Sequence, residues 1–121
     1  MSSHLMPLSF GRPPLNQNQR LHWAAKARIV KRVRDEACVR ARAARLGKHK
    51  HITVQLHYQP DRNIKKRDRA NIHPTQKALL DGLVDAGLVP DDCDTYVDEQ
   101  MPVIHPKVPG EPAKCWLEIT Y

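Results

Sequence analysis

Charged residues of the types that bind phosphate groups and divalent cations concentrate between residues 65 and 94. A group of cations and one carboxylate, Asp68, opens this segment. A helix carrying Lys77 follows, and the acid pair Asp91 and Asp92 comes after it. A helix of that length turns its two flanks back toward the same end of a sheet, so acids distant in sequence can meet. Carboxylates that converge beside a lysine predict divalent-metal phosphodiester chemistry on nucleic acid.

Each of these residue types has a defined task in that chemistry. Mg²⁺ held by one to three carboxylates activates a water and relieves charge on the leaving oxygen, and a nearby Lys stabilises the extra charge. The candidate catalytic residues are Asp68, Lys77, Asp91 and Asp92, of which the three acids are also the candidate metal ligands, with Asp81 and Asp94 in reserve. A plainer interpretation stays open, because an acid pair after a helix is often a solvated turn and Lys77 with Asp81 has the spacing of a surface ion pair.

The charge of the chain is divided unevenly along its 121 residues. The formal net charge is +7, but residues 1–50 carry +10, residues 51–71 carry +3 and residues 72–121 carry −6. A basic half attracts a polyanion, and an acidic half supplies ligands for cations. The basic loop before the second helix adjoins the acids and is the strongest candidate for phosphate contact; its cations are Arg62, Lys65, Lys66, Arg67 and Arg69.

The cysteines and the hydropathy pattern bear on where the protein works. Cys38, Cys93 and Cys115 are odd in number, widely spaced and without zinc-ligand spacing, which favours reduced thiols in a cytoplasmic compartment. No apolar run is long enough to span a membrane, and no signal-peptide segment is evident, so we expect no membrane association.

The hydrophobic pattern predicts a small α/β (α+β) domain covering residues 1–121. We expect a first strand over Met6–Phe10 and a helix over Arg20–Leu46. A strand over His51–Gln59 should bury its alternating apolar residues, and a second helix should run from Pro74 to Ala86 and stop at Gly87. A third strand over Thr95–Ile104, broken by Pro102, and a last one over Cys115–Tyr121 complete a β-α-β-α-β-β order with two helices on a mixed sheet.

Several side chains receive structural assignments from the same pattern. The apolar stripe predicted on the first helix is Trp23, Ala27, Val30, Val33, Ala37, Ala41 and Ala44. Asn16 and Asn18 are expected to cap a helix, and His73 stands where a helix N-cap would. Asp85 is assigned to a solvated helix face.

The central motif resembles the RusA family of Holliday-junction resolvases. The residues that carry the resemblance are Arg67, Asp68, Asn71, Lys77, Ala86, Gly87, Asp91 and Asp92, and the segment PLNQNQRLHW is similar to the family's N-terminal Asn and Trp segment. The likeness covers nearly the whole chain. It implies a homodimer that binds branched DNA and nicks four-way junctions symmetrically with Mg²⁺, or with Mn²⁺ in its place. It further implies that Asp68 and Asp92 bind the metal, that Asp91 assists and Lys77 is a catalytic cation, and that Asn71 belongs to the DNA-binding segment.

At one position the chain departs from the family pattern. The second Asp of the family's Asp-x-Asp pair falls on Ala70, which removes one carboxylate from the expected metal site. The alternative hypothesis is therefore a non-catalytic or weakened junction-binding protein. A basic RNA-binding or ribosome-associated domain is a third possibility.

Overall fold

The computed structural model describes residues 2–64 and 68–121, which form two α-helices and one mixed sheet of five strands. This confirms the predicted α+β fold. The helices are α1 (Trp23–Ala43) and α2 (His73–Asp85), and the strands are β1 (Ser3–Pro7), β2 (Ile52–Gln59), β3 (Val97–Glu99), β4 (Val103–Ile104) and β5 (Lys114–Thr120). A short 3-10 helix, Arg69–Ile72, leads directly into α2.

Strand β2 lies at the centre of the sheet. β5 pairs antiparallel with it on one side, and β3 and β4 pair parallel with it on the other, while β1 forms the outer edge against β5. Ile52, Val54 and Leu56 are buried on one face as their alternation predicts, and so are Leu117 and Ile119 of β5. These residues join the buried residues of both helices in one core.

The first strand lies three residues earlier than its predicted position. It spans Ser3–Pro7, not Met6–Phe10, and pairs from Ser3 opposite Thr120 to Pro7 opposite Trp116. Backbone pairing with β5 keeps this edge segment extended, although only Met6 within it is buried. Its hydrophobic pattern is therefore too weak to locate it.

Helix α1 is shorter than predicted, and its first turns are not part of the core. Val33, Ala37 and Ala41 are buried, but Trp23 is 76% exposed, and Ala27 is also exposed. The prediction that Trp23 and Ala27 are buried is wrong, because α2, with 13 residues, covers only part of the 21-residue α1. At about 1.5 Å per residue, α1 is longer than its partner by roughly 12 Å.

The beginning of α1 is capped by a histidine, and not by one of the asparagines that the sequence predicts as the cap. His22 occupies the N-cap, and its Nδ1 accepts a hydrogen bond from the Ala24 N–H at 3.2 Å. Asn16 instead accepts from the Asn18 N–H at 3.0 Å, within the preceding loop. The predicted asparagine cap is therefore wrong, because the Asn16 side chain and the Asn18 backbone close a local turn several residues before the helix begins.

The two helices approach closely at Gly82 of α2. A Cβ atom at this position would lie 2.2 Å from the Arg34 carbonyl oxygen and 2.8 Å from the Ala37 Cβ, so only glycine fits. Asp85 is exposed, as expected for a solvated face, and it also accepts two hydrogen bonds from the Arg34 guanidinium at 2.5 and 2.8 Å. This tertiary contact fixes the C-terminal end of α2 against α1.

The third predicted strand consists of two short pieces, with a gap that a side chain fills. β3 pairs with residues 52–54 of β2, and β4 pairs with residues 57–58. Between them, the buried side chain of Gln76 accepts a hydrogen bond from the Leu56 N–H at 2.8 Å and donates to the Gln100 carbonyl oxygen at 2.7 Å. A buried amide thus replaces the missing strand pairing and ties α2 to the sheet edge.

Within the described part of the chain, neither helix is long and apolar enough to cross a bilayer.

Candidate active site

Lys77, in the second turn of α2, lies between two carboxylates. Its ammonium group donates one hydrogen bond to Asp81 Oδ1 at 2.8 Å, one turn further along the helix. It donates another to Asp92 Oδ2, which is fifteen residues away in sequence. The first contact is the helical ion pair that the spacing predicts, whereas the second is tertiary. We call Lys77, Asp81, Asp91 and Asp92 the Lys77 cluster.

The segment after α2 turns back along the helix and thereby brings the acid pair to Lys77. Gly87 has φ +87°, a backbone conformation that favours glycine, and the Leu88 N–H donates to the Leu83 carbonyl oxygen at the helix end. Leu88 and Val89 are buried and hold the returning chain against the core. The Asp92 N–H then donates to Asp91 Oδ1 at 2.8 Å, which shapes the turn.

The ion pair changes the pKa of both partners. Burial lowers the pKa of Lys77, but hydrogen bonds from the ammonium to Asp81 and Asp92 outweigh it and raise the pKa above its usual value. The hydrogen bond from Lys77 lowers the pKa of Asp92, and one involving Asp91 lowers it further. At neutral pH Lys77 is therefore a cation and Asp92 an anion. Lys77 is suited to stabilising negative charge and not to accepting a proton.

Asp68 lies at the other end of the candidate site, just before the 3-10 helix. It is the N-cap of this helix, and its Oδ1 accepts a hydrogen bond from the Asn71 N–H at 3.3 Å. Asp68 and Asn71 line a cavity together with Arg12, Asn16 and Arg62. We call this cavity, which these five residues line together with others, the loop cavity. Three of the residues singled out in the sequence, Asp68, Asn71 and Arg62, therefore lie together.

The loop cavity contains a polar atom that lacks a partner. Asn71 Oδ1 is buried, and no atom of residues 2–64 or 68–121 donates a hydrogen bond to it. A buried acceptor without a donor costs about 1–3 kcal/mol, so it commonly marks a place where water, an ion or a ligand binds. Amide and carboxylate oxygens are both ligands that hard cations accept.

A further acid, which is not among the predicted site residues, lies next to the N-terminal end of α2. Glu99, at the end of β3, accepts hydrogen bonds from His73 Nε2 at 2.7 Å and from Gln76 Nε2 at 3.2 Å. His73 is the first residue of α2, and its ring contacts Glu99 instead of capping the helix as expected. His73 and Lys77, four residues apart, share a helix face. In the sequence, Glu99 is an acid within a predicted strand. The number of residues between such an acid and α2 follows no fixed pattern, so the sequence does not indicate that the two meet.

The structure thus gathers the predicted site residues into two separate groups, one around Lys77 in the second turn of α2 and one just before the 3-10 helix that leads into α2. Asp91 and Asp92 join Lys77, while Asp68 joins Asn71 and Arg62. In the described residues no hydrogen bond or ion pair connects Asp68 with either acid of the pair. Arg69 is exposed on the 3-10 helix. The remaining predicted DNA-binding residues, Lys65, Lys66 and Arg67, lie outside the described residues.

The side chains present are compatible with a magnesium ion, judged by their donor chemistry. Mg²⁺ is commonly bound by one or two carboxylates, with water completing its shell. Asp91 and Asp92 could supply such carboxylates, as could Asp68 with the orphaned oxygen of Asn71. Residues 2–64 and 68–121 contain no group of three or more His, Cys, Asp or Glu side chains arranged to hold a metal ion.

Comparison of the chain with protein-family models gives no match, and comparison with curated protein sequences gives none either.

Proposed function

We propose that this protein is a Mg²⁺-dependent, structure-selective DNA endonuclease that resolves four-way junctions by symmetric nicking in recombination or repair. The observation that supports this best is the contact of Lys77 with Asp92 across fifteen residues. It brings the acid pair after α2 to a lysine of the helix that the Asp68–Asn71 segment precedes in the chain. Carboxylates and a lysine from two separate parts of the chain thereby converge, as phosphodiester cleavage requires.

Each residue of the proposed site has a defined task in the reaction. Asp91 and Asp92, with Asp68, would hold the ion, which supplies an activated water and charge neutralisation when it is bound. The Lys77 ammonium, cationic at neutral pH, offsets negative charge that develops on the phosphate. Arg62 and Arg12 in the loop cavity supply cations for the neighbouring phosphates.

The partner that we propose is branched DNA bound by a homodimer. The net charge of +7 favours a polyanion, and phosphate contacts hold DNA in register without reading its sequence. A four-way junction has two-fold symmetry, so a two-fold dimer would present one active site to each of two opposed strands.

We place the protein in the cytoplasm. Cys38, Cys93 and Cys115 are free thiols in the structure. Burial raises the pKa of Cys115 to about 12, so this thiol stays protonated and unreactive at physiological pH. Unpaired cysteines are typical of a reducing compartment.

The test is Mg²⁺-dependent nicking of a synthetic four-way junction, with Asp92→Asn and Asp81→Asn as matched variants. Both carboxylates accept a hydrogen bond from the Lys77 ammonium, and each substitution removes one negative charge next to that ammonium. Asp92→Asn should reduce nicking at least 100-fold because it removes a proposed metal ligand. Asp81→Asn should stay within about threefold of wild type, because an ion pair between residues four apart on a helix contributes only about 0.3–0.5 kcal/mol.

Junction binding in EDTA serves as the control for folding and DNA affinity. Wild type and both variants should bind the uncut junction with similar affinity. Equal nicking by wild type and Asp92→Asn would contradict the proposed role of Asp92, and absence of nicking by wild type at any Mg²⁺ or Mn²⁺ concentration would refute the enzyme assignment.

The second candidate function is that of a non-catalytic or weakened junction-binding protein. It is favoured by Ala70, which lies in the 3-10 helix between Asp68 and Asn71 and contributes no ligand. Salt-sensitive junction binding that is never followed by cleavage would support this alternative.

A further inference from the structure

The first turns of α1 carry a surface that the proposed active site does not use. The Trp23 indole is 76% exposed. Tryptophan has the largest apolar side chain, and the protein has only two of them, so this degree of exposure is unusual. A shallow groove runs from Trp23 along the helix, with Ala27 and Val30 among its lining residues and Lys26 and Lys31 beside them. We call this the Trp23 groove.

The indole has a defined position at the end of the groove. The His22 ring lies against it, with 5.5 Å between the ring centroids and 34° between the planes. His22 is itself held by its cap hydrogen bond with the Ala24 N–H. The helix start therefore presents the indole to solvent from a fixed point of the backbone.

The charge around the groove is predominantly positive, since Lys26, Lys31 and Arg34 line it together with the acid Asp35. Residues 20–34 contain six Lys or Arg and no Asp or Glu. Lys31 pairs with Asp35 at 2.8 Å and Arg34 with Asp85, whereas Lys26 makes no ion pair with any described residue. An exposed aromatic ring beside unpaired cations is the combination that binds nucleic-acid strands, because bases stack on the ring and phosphates contact the cations.

We propose that the Trp23 groove binds unpaired nucleotides of single-stranded DNA by stacking a base on the Trp23 indole. The inference rests on the proposed function, since it adds a contact for the unstacked nucleotides of branched DNA at a site distinct from the Lys77 cluster. Paired bases within a duplex stay stacked on each other and present no free face. The groove therefore favours single strands over duplex.

A second copy of this chain fits the groove less well. In a two-fold dimer an interface patch meets itself, so this face would bring the net positive lining of one groove against the same lining of the other copy. Like charges placed opposite each other oppose association. A polyanion meets the same surface with opposite charge, which makes DNA the better occupant.

The experiment measures binding of fluorescein-labelled 12-nucleotide oligo(dT) to the full chain in EDTA, by fluorescence anisotropy. Trp23→Ala should weaken binding about 5- to 100-fold, since stacking contributes about that factor per base. Trp23→Phe should retain most of the affinity. Val39→Ala, which alters another exposed apolar residue of α1, should leave it unchanged.

The salt dependence separates stacking from charge. Trp23→Ala should keep the slope of log K against log salt, whereas Lys26→Gln should reduce it by about 0.7, the value for one phosphate of a single strand. In a Trp116→Phe background, where Trp23 is the sole tryptophan, oligo(dT) should quench its fluorescence. A 12-base-pair duplex and polyglutamate should each bind more weakly and cause no quenching.

Unchanged oligo(dT) affinity in Trp23→Ala, or equal quenching by polyglutamate, would overturn the proposal. Junction cleavage distinguishes it from the proposed function. Wild-type nicking without Trp23-dependent oligo(dT) binding rejects the groove alone, and Trp23-dependent binding without nicking rejects the nuclease alone.

Discussion

At the scale of single residues, the candidate site depends on how a few charges are paired. Lys77 holds Asp81 and Asp92 at once, so the repulsion between these carboxylates is offset before any metal binds. Because the pKa of Lys77 is raised, this cation persists over the whole physiological pH range. The same pairing lowers the pKa of Asp92 and keeps this proposed metal ligand deprotonated.

Ala70 gives a prediction at this scale. It lies two residues after Asp68, so Ala70→Asp adds a carboxylate to the loop cavity segment. At limiting Mg²⁺ this substitution should raise junction nicking by roughly tenfold, which corresponds to about 1.4 kcal/mol of transition-state stabilisation. The measurement is the single-turnover nicking rate as a function of Mg²⁺ concentration.

Ala70→Asn is the matched control for that experiment, because asparagine has the same size as aspartate without the negative charge. It should leave the rate near the wild-type value. A loss of nicking, or no change, in Ala70→Asp would remove this position from the metal site.

At the scale of elements, the position of α2 decides where the site residues lie. Gly82 allows α1 to approach closely, and Gln76 links the other side of α2 to the sheet. Thr75 adds a third attachment, since its hydroxyl donates to the Leu15 carbonyl oxygen at 2.7 Å and accepts from the Leu15 N–H at 3.0 Å. The N-terminal half of α2, which carries Lys77, is thereby fixed by buried polar contacts.

Gln76→Leu tests this attachment. The substitution keeps the side-chain size but leaves the buried Leu56 N–H and the Gln100 carbonyl oxygen without their partner. We expect the free energy of unfolding to fall by about 1–3 kcal/mol, measured by urea denaturation. Gln55→Leu is the control, because Gln55 donates to the Met101 carbonyl oxygen at an exposed site. Its effect should stay below about 0.5 kcal/mol, and an equal loss in the two variants would show that the strand gap does not depend on Gln76.

At the scale of the whole molecule, the two faces of the sheet have different chemistry. The inner face packs against the core, while the outer face carries His57, His105, Trp116 and Glu118. His57 Nε2 contacts Glu118 Oε1 at 2.9 Å, and His57 Nδ1 contacts His105 Nε2 at 2.8 Å. This arrangement is satisfied when both rings are neutral, with His105 donating to His57 and His57 donating to Glu118.

The histidine pair predicts a pH dependence of stability. Burial, and then the proximity of His57, lower the pKa of His105 below its usual 6.5. The unfolded chain therefore binds more protons than the folded chain just below pH 6.5, so stability falls as the pH decreases through this window. The stabilisation is fully present above about pH 6.5 and is lost as the pH falls through the lowered folded pKa.

His105→Gln should flatten that dependence. Thermal unfolding of wild type between pH 7.5 and 5 should show a falling midpoint, and the variant should show a smaller decline over the same range. His4→Gln is the control, since it replaces a histidine of the edge strand β1 that takes no part in the pair. Parallel curves for wild type and His105→Gln would contradict the prediction.

Features that depend on local periodicity could be predicted from the amino-acid sequence alone. The alternation in β2 and β5, the helical pattern from Val33 to Ala41, and the helix stop at Gly87 follow from residues that are close along the chain. The spacing of Lys77 and Asp81 likewise predicted their ion pair. Such features arise from backbone geometry, which repeats every two residues in a strand and every 3.6 in a helix.

Contacts between residues that are distant in the chain became evident only from the folded arrangement. The contact of Asp92 with Lys77, the hydrogen bonds of Glu99 with His73 and Gln76, and the exposure of Trp23 all depend on where α2 lies and where it ends. A hydrophobic stripe predicts an apolar face but not how much of it a shorter partner helix covers. Contacts between distant segments follow from packing and from the path of the returning chain, which no local pattern encodes.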